Sequence, residues 1–279
     1  MPELPEVEGV RRTLRDGNPS LIGKVILSVD VIWDGVVAGS EKSEFSSLIT
    51  GRQFTGIDRH GKYLLFQLTA AGSDSPPLFL VVHLRMTGRL TILPQGSLMG
   101  RHARLAVTLD SGDMLTFDDP RKFGRVWLVN SPDTVKSCLG PDALTVDENT
   151  FLCQIRNHRR RIKALLLDQS VIAGVGNIYA DESLFRARIH PETVSDRLAE
   201  KQLKVLYRAV TGVMKEAVDL HGANIDGVFK EGGFIVSVYG QTGRPCPVCG
   251  TPIVKIRSGQ RGTHFCPRCQ PAQHKYLLD

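Results

Sequence analysis

Along the first half of the chain, apolar residues recur in short alternating or continuous runs, at Val25–Trp33, Tyr63–Leu68, Leu78–Leu84, Leu90–Leu93 and Val126–Val129. Turn-forming segments separate them, among them Asp34-Gly35, Gly72-Ser73-Asp74-Ser75-Pro76-Pro77, Thr87-Gly88 and Ser111-Gly112. Short strands spaced by turns in this way predict antiparallel sheets packed as a sandwich or barrel over residues 24–130. One helix precedes them. Pro5 suits a first helical turn, Glu6 and Glu8 suit its positive end, and Val7, Val10 and Leu14 fall on one face. From about residue 147 the period lengthens, with Phe151 and Ile155 four apart and Ile162, Leu165 and Leu166 on one side. A long helix between Asp196 and Leu220 carries Leu203, Leu206, Val210, Val213, Met214 and Val218 as an apolar stripe, with Gly222 as its stop. Ahead of it, Gly174-Val175-Gly176-Asn177 predicts a tight glycine turn with Asn177 suited to capping a helix, and amide N–H groups open to a phosphate. The class is α+β.

Composition fits an ordinary globular chain: 279 residues, 42% apolar and 23% charged, enough for about two domains. No run of eighteen apolar residues occurs, and the opening Pro2, Glu3 and Glu6 differ from a basic stretch followed by an apolar one. These features argue against a membrane span and a secretory signal and make a cytoplasmic location the expectation, nucleoid-associated in a prokaryote. The net charge of +6 is concentrated at one end: residues 236–279 carry +5 of it. A second basic island, Arg156, Arg159, Arg160, Arg161 and Lys163, has no acid within it. Two basic patches point to a long polyanion, since nucleic-acid affinity comes largely from releasing counterions along phosphates.

Cys246, Cys249, Cys266 and Cys269 form two C-x2-C pairs sixteen residues apart, the spacing of a four-thiolate zinc site. Four protein ligands leave no open position, so one Zn²⁺ is structural and holds together a tail too small for its own core. Cys138 and Cys153 lie outside the pattern and are expected as small buried apolar side chains.

The opening Met1-Pro2-Glu3-Leu4-Pro5-Glu6-Val7-Glu8, the segment Gly174-Val175-Gly176-Asn177-Ile178-Tyr179-Ala180-Asp181-Glu182 and the cysteine finger resemble the formamidopyrimidine-DNA glycosylase family. So do His60-Gly61-Lys62-Tyr63-Leu64-Leu65, His83-Leu84-Arg85-Met86-Thr87-Gly88 and Asp119-Pro120-Arg121-Lys122-Phe123-Gly124, and the likeness spans the whole chain. It implies a catalytic helix and β-sandwich over 1–132, a helix-two-turn-helix DNA-binding domain over 145–235 and a zinc finger over 236–279. The implied activity is removal of oxidised purines (8-oxoguanine, formamidopyrimidines) from damaged double-stranded DNA, followed by β,δ-elimination at the abasic site. No organic cofactor or membrane is implied, and a monomer is expected.

The residues themselves allow that chemistry. Once Met1 is removed, Pro2 presents a secondary amine with a reference pKa of about 8, a usable nucleophile at neutral pH. With Met1 retained, its nitrogen is a tertiary amide and cannot react. By resemblance, Glu3 protonates the sugar ring oxygen, which requires a carboxylic acid with a raised pKa, and Glu6 assists in that pocket. Lys62 lies near the reacting sugar as proton donor and phosphate contact, and Arg261 on the finger hairpin holds phosphate for the second elimination. Read without the resemblance, Glu3 and Glu6 are helix N-terminal acids answering the macrodipole, and Lys62 is a strand-surface lysine. Flipping a nucleotide leaves a hole in the stack, and Met86, Arg121 and Phe123 resemble the trio that fills it. His102, Arg121, His158, Arg159, Lys163 and Asn177 are the candidate DNA contacts. After the long helix, Gly222–Gly227 and Val228–Gly233 are several residues shorter than usual in the family, and Gln241 replaces a common arginine. Lesion choice depends on that loop. The alternatives are a glycosylase for oxidised pyrimidines, though that branch usually begins Pro-Glu-Gly where Leu4 stands here, and a non-catalytic zinc-finger binder of damaged DNA.

Overall fold

In a computed structural model, which describes residues 2–70, 76–224 and 232–272, the chain divides into two compact units. Pro2 and residues 6–137 form the first; residues 3–5 and the chain from 138 onward form the second. The turn residues 72–75, most of the short loop after the long helix (225–231) and Lys275 lie outside the described residues.

The first unit takes in α1 (Leu4–Asp16) from Glu6 onward, then β1 (Ile26–Val31), α2 (Lys42–Ile49), β2 (Arg52–His60), β3 (Tyr63–Ala70) and β4 (Leu78–His83). It continues through β5 (Arg89–Leu93), β6 (Ala103–Leu109), β7 (Met114–Asp118), β8 (Arg125–Val129) and a single turn, α3 (Asp133–Lys136). Two four-stranded antiparallel sheets result, ordered β1-β6-β7-β5 and β2-β3-β4-β8. Leu64, Phe66 and Leu68 alternate inward from β3, Leu80 and Val82 from β4, and Leu105, Val107 and Phe117 from the other sheet, making one core with Val7 and Leu14 of α1. Phe54 and Phe66 meet edge to face at 5.9 Å.

The expectation that 24–130 is strand throughout is corrected at α2, where Phe45 and Ile49 stand four apart and are buried among polar neighbours, a helical spacing. Strand β2 escapes the alternation rule for a physical reason. A bulge between Phe54 and Gly56 turns Phe54 and Ile57 both inward although they are three apart.

The second unit holds α4 (Glu148–Arg156), α5 (Ile162–Leu167), α6 (Asn177–Ala187), α7 (Glu200–Asp219) and a hairpin of β9 (Val254–Ser258) with β10 (Arg261–Phe265). The Asp147 side chain caps α4, accepting from the Thr150 N–H at 2.9 Å. The long helix begins at Glu200 instead of Asp196, because Ser195–Arg197 form a separate 3-10 turn. Its stop is as expected: Gly222, at φ +84°, donates its N–H to the Ala217 carbonyl at 2.7 Å. All six stripe residues are buried in the core that α7 shares with α4 and α6. Cys138 and Cys153 are exposed and not buried, Cys153 because it falls opposite the Phe151, Leu152 and Ile155 face of α4. Among the described residues no helix is long and apolar enough to cross a membrane.

Within the first unit a buried ion cluster fixes α1 to β2. Glu8 accepts from the Arg11 NH2 at 2.8 Å and the Arg59 Nε at 3.0 Å. Burial presses the Glu8 carboxyl up, but hydrogen bonds from Arg11 and Arg59 and their charges outweigh it and hold the pKa at about 2 against an ordinary 4.5. A depressed acid contributes stability that is complete above pH 4.5 and is lost as pH falls through 2. Glu8→Gln, leaving the buried Arg59 guanidinium and the half-buried Arg11 one without their carboxylate, should cost about 3 kcal/mol at neutral pH. Urea melts across the acid range should also show the variant losing less stability than the parent between pH 4.5 and 2.

Candidate active site and nucleic-acid interface

The glycine turn expected to cradle a phosphate is occupied by the chain's own third residue. Glu3, 1% exposed, places its carboxylate at the N-terminus of α6, where Oε1 accepts from the Ile178 N–H at 3.0 Å and Oε2 from the Tyr179 N–H at 3.4 Å. Next to it, the Leu4 N–H donates to the Gly174 carbonyl at 3.2 Å. Both glycines are required. Gly174 sits at φ +105° and a Cβ there would lie 2.4 Å from the Leu4 side chain, while a Cβ on Gly176 would lie 2.2 Å from the Glu3 carboxyl carbon. The residue capping α6 is Gly176, not Asn177, which occupies the first helical position. The macrodipole reading of Glu3 therefore holds, but for α6 and not for the helix that Glu3 precedes.

The same helix anchors the finger. Asp181, fully buried, pairs with the Lys163 ammonium at 2.7 Å and accepts from the His264 N–H at 2.9 Å. Lys163 also donates to the Gly262 carbonyl at 3.0 Å and to the Thr263 hydroxyl at 2.8 Å, and the Asn177 amide donates to the same Gly262 carbonyl at 3.1 Å. Burial lowers the Lys163 pKa against the pull of Asp181. Glu182 accepts from the N–H groups of Ser237, Val238 and Tyr239, each at 2.9 Å, and burial raises its pKa against those three donors. Asp181 and Glu182 were visible in the motif without a role; their function is to dock the finger and the segment before it. Arg261, exposed, opens β10 immediately before the carbonyl so held.

The four finger thiols converge. Their ligand atoms lie within 4.8 Å of one another, with Sγ separations of 3.5 Å for Cys249–Cys266, 3.5 Å for Cys249–Cys269 and 3.9 Å for Cys246–Cys269. A tetrahedral Zn–thiolate centre with bonds of about 2.3 Å needs sulfurs about 3.8 Å apart, so the set fits one structural zinc. The Val248 and Cys269 N–H groups point at the Cys246 and Cys266 sulfurs, both at 3.4 Å. These are donors suited to thiolate charge.

In the first unit, Lys62 lies in the two-residue turn between β2 and β3 and is 7% exposed, not on a strand surface. Gly61 takes φ +55° at the first turn position, as a II′ hairpin requires. Arg59, already paired with Glu8, donates from NH1 to the Gly61 carbonyl at 3.0 Å, so the α1 ion cluster also holds this turn. From sequence Glu8 is read only as an acid at the positive end of the first helix, and Arg59 is not singled out. His83 is buried nearby in charge terms: burial, then Arg85 and Lys62, hold its pKa at about 3, and its Nδ1 accepts from the Arg85 N–H at 3.0 Å. It is a neutral imidazole throughout the physiological range.

Met86 lies half-buried on the β4–β5 connection, and Arg121 and Phe123 lie exposed on the β7–β8 connection with the guanidinium 4.8 Å over the ring. A 46%-exposed phenylalanine is not a core residue. His102 is half-buried, with its Nε2 accepting from Arg101 at 3.0 Å. His158 is half-buried and Arg159 exposed.

The basic island is not an uncompensated patch, which corrects the sequence reading. Arg156 meets Glu200 at 3.0 Å, Arg159 meets Asp196 at 3.4 Å, Arg160 meets Asp168 at 2.7 Å and Arg161 meets Glu192 at 2.9 Å, and Lys163 has Asp181. The acids come from elsewhere in the chain, so no local charge count reveals them. The four arginine pairs are exposed and exchangeable, worth about 0–1 kcal/mol each. The Lys163 pair is buried, so this ammonium is directed inward and not toward a surface phosphate.

Three family models match: "Formamidopyrimidine-DNA glycosylase N-terminal domain" over residues 1–126, "Formamidopyrimidine-DNA glycosylase H2TH domain" over 139–227 and "Zinc finger found in FPG and IleRS" over 243–272. A formamidopyrimidine-DNA glycosylase of Enterococcus faecalis is 39% identical, the match covering 99% of this chain and 100% of that one. A structure of MutM in complex with DNA containing carbocyclic 8-oxo-G superposes with TM-score 0.87 at 33% identity, over 97% of this chain and all of that one. The Lactococcus lactis protein in complex with FAPY-dG-containing DNA gives TM-score 0.86 at 34% identity over the same shares.

The finger geometry carries a direct test. Metal analysis should return one zinc per chain, and chelation should raise hydrogen exchange sharply at the His264 amide while the β4 amides keep their protection, because only the finger depends on the ion.

Proposed function

The chain belongs to the formamidopyrimidine-DNA glycosylase family, and from that membership we propose how its own residues carry the reaction. It is a base-excision repair glycosylase for oxidised purines in duplex DNA, with abasic-site lyase activity. The chain works where DNA is, in the cytoplasm or on a nucleoid. Its reaction starts when Pro2, freed of Met1, attacks the sugar C1′ of a flipped nucleotide. The N–C1′ bond forms as the glycosidic bond breaks, and the base departs with the electron pair and takes a proton. The proline nitrogen then gives its proton to the Glu3 carboxylate, Glu3 passes it to the ring oxygen as the C1′–O4′ bond opens, and an iminium results. That electron sink acidifies the C2′ hydrogen, and its removal expels the 3′-phosphate. A second elimination, served by Arg261, expels the 5′-phosphate.

The observation that carries this reading is the seating of Glu3. Its carboxylate is fixed by two amide N–H groups of α6 and by the close approach of Gly176, and it is peptide-bonded to the nucleophile. A helix N-terminus favours the ionised form instead of the raised pKa expected from sequence, so Glu3 is placed as a fixed carboxylate one residue from the amine, able to take its proton and relay it to the ring oxygen. Lys62, held in a buried turn, supplies a proton or phosphate contact, and the neutral His83 adds no competing charge beside it. Met86, Arg121 and Phe123 fill the vacated stack, with Arg121 addressing the orphaned base. His102, His158, Arg159 and Asn177 contact phosphates, Arg159 by exchanging Asp196 for DNA. Lys163 serves by holding the Gly262 carbonyl beside Arg261.

Borohydride should trap a covalent adduct between the Met1-processed protein and duplexes carrying an abasic site or 8-oxoguanine opposite cytosine. Protein retaining Met1 should give none. Binding without any adduct from processed protein would instead indicate a non-catalytic binder, and a preference for an oxidised pyrimidine would move the lesion class. Gly176→Ala, whose Cβ displaces the Glu3 carboxyl, should slow trapping by about 100-fold, the scale of one general acid.

A further inference from the structure

The two connections that carry Met86 and the Arg121–Phe123 pair are separated by more than thirty residues of sequence, yet one buried carboxylate joins them. Asp119, 1% exposed, accepts the Thr87 hydroxyl, next to Met86, through Oδ1. The same oxygen accepts from the Arg121 N–H at 3.2 Å, and Oδ2 accepts from the Gly124 N–H at 2.7 Å. Its backbone is held too: the Asp119 N–H donates to the His102 carbonyl at 2.9 Å, and its carbonyl accepts from the Arg104 Nε at 2.8 Å. Below this joint the Phe117 ring supports both connections. A Cβ on Gly88 would lie 2.7 Å from that ring and one on Gly124 2.3 Å from it, so each connection closes down on the same aromatic surface through a glycine. On the outer side, Lys122 and Arg125 lie over the Trp33 ring at 5.6 Å and 5.3 Å.

We propose that Asp119, through the Thr87 hydroxyl, is a positioning residue that makes the Met86 connection and the Arg121–Phe123 connection one rigid body, so that the three wedge side chains enter the stack together. This rests on the reading of those three residues as the void-filling trio. The physical reason is ordering entropy. A wedge carried on two independent loops must fix each at the moment of nucleotide extrusion, whereas a carboxylate saturated by donors from both has done so beforehand. Trp33 restrains the far side of the second connection and leaves Arg121 free to stack on Phe123.

The test is a double-mutant cycle on single-turnover excision of 8-oxoguanine opposite cytosine, with Met86→Ala and Phe123→Ala made in the parent and in Thr87→Val. In the parent, each single change should slow excision by about 10-fold, and the pair should fall short of the product by about fivefold or more, the signature of coupled sites. Thr87→Val should slow excision by about 10-fold and make the two effects multiply, while Thr87→Ser, which keeps the hydroxyl, should restore both rate and coupling. A fold defect would not be rescued by the serine in this pattern. Coupling that persists in Thr87→Val, or a parent in which the two effects already multiply, overturns the proposal. If Met86→Ala and Phe123→Ala individually leave excision unchanged, the wedge reading itself fails, and the proposal falls with it.

Discussion

The carboxylate of Glu3 on the N-terminus of α6 is the contact on which the reading of the site depends. It is a charged hydrogen-bond acceptor placed where unpaired amides and the positive end of a helix dipole converge, a stronger version of an ordinary N-cap supplied from 175 residues away. The same glycine turn that in other proteins exposes amides to a phosphate is here used to hold the chain's own N-terminal segment. Gly174 and Gly176 matter because they let Leu4 and Glu3 approach, so the motif and the N-terminal residues form one constraint.

Helix α6 uses its other end of the motif as a fastening point. Asp181 and Glu182 sit one turn beyond the Glu3 contact, and between them accept from the finger strand and from the segment leading into the finger. A zinc finger with a core of only a few apolar residues gains its orientation from this buried pairing with Lys163 and His264 and its local fold from the metal. In the other unit, the Glu8–Arg59 pair and the Gly61 carbonyl do for Lys62 what α6 does for Glu3. In each case the residue proposed to react is placed through ion pairs or hydrogen bonds made by residues to which no chemical step is assigned.

Much of this was legible in the sequence because local patterns encode it. The alternation of Leu64, Phe66 and Leu68, the stripe from Leu203 to Val218 and the spacing of the four cysteines each follow from a single period or ligand geometry. What was not legible involves partners distant in sequence. The arginine island looks like bare positive charge until Glu200, Asp196, Asp168 and Glu192 fold against it, and Lys163 looks like a phosphate contact until Asp181 takes it inward. The bulge in β2 hid a strand by breaking the alternation, and α2 was too short and polar to interrupt a strand-like stretch. Glu3 was chosen for its resemblance, and its apparent alternative, an acid answering a helix dipole, turned out to describe the same carboxylate on a different helix.

The most direct test of that central contact is amide hydrogen exchange at Ile178 and Tyr179 in the parent and in Glu3→Ala. Loss of a charge-assisted acceptor should accelerate exchange at these two positions by about 10- to 100-fold while the interior of α6 keeps its protection. Unchanged protection at both amides would mean that the carboxylate does not hold the helix terminus, and the account of how the acid is positioned would be wrong.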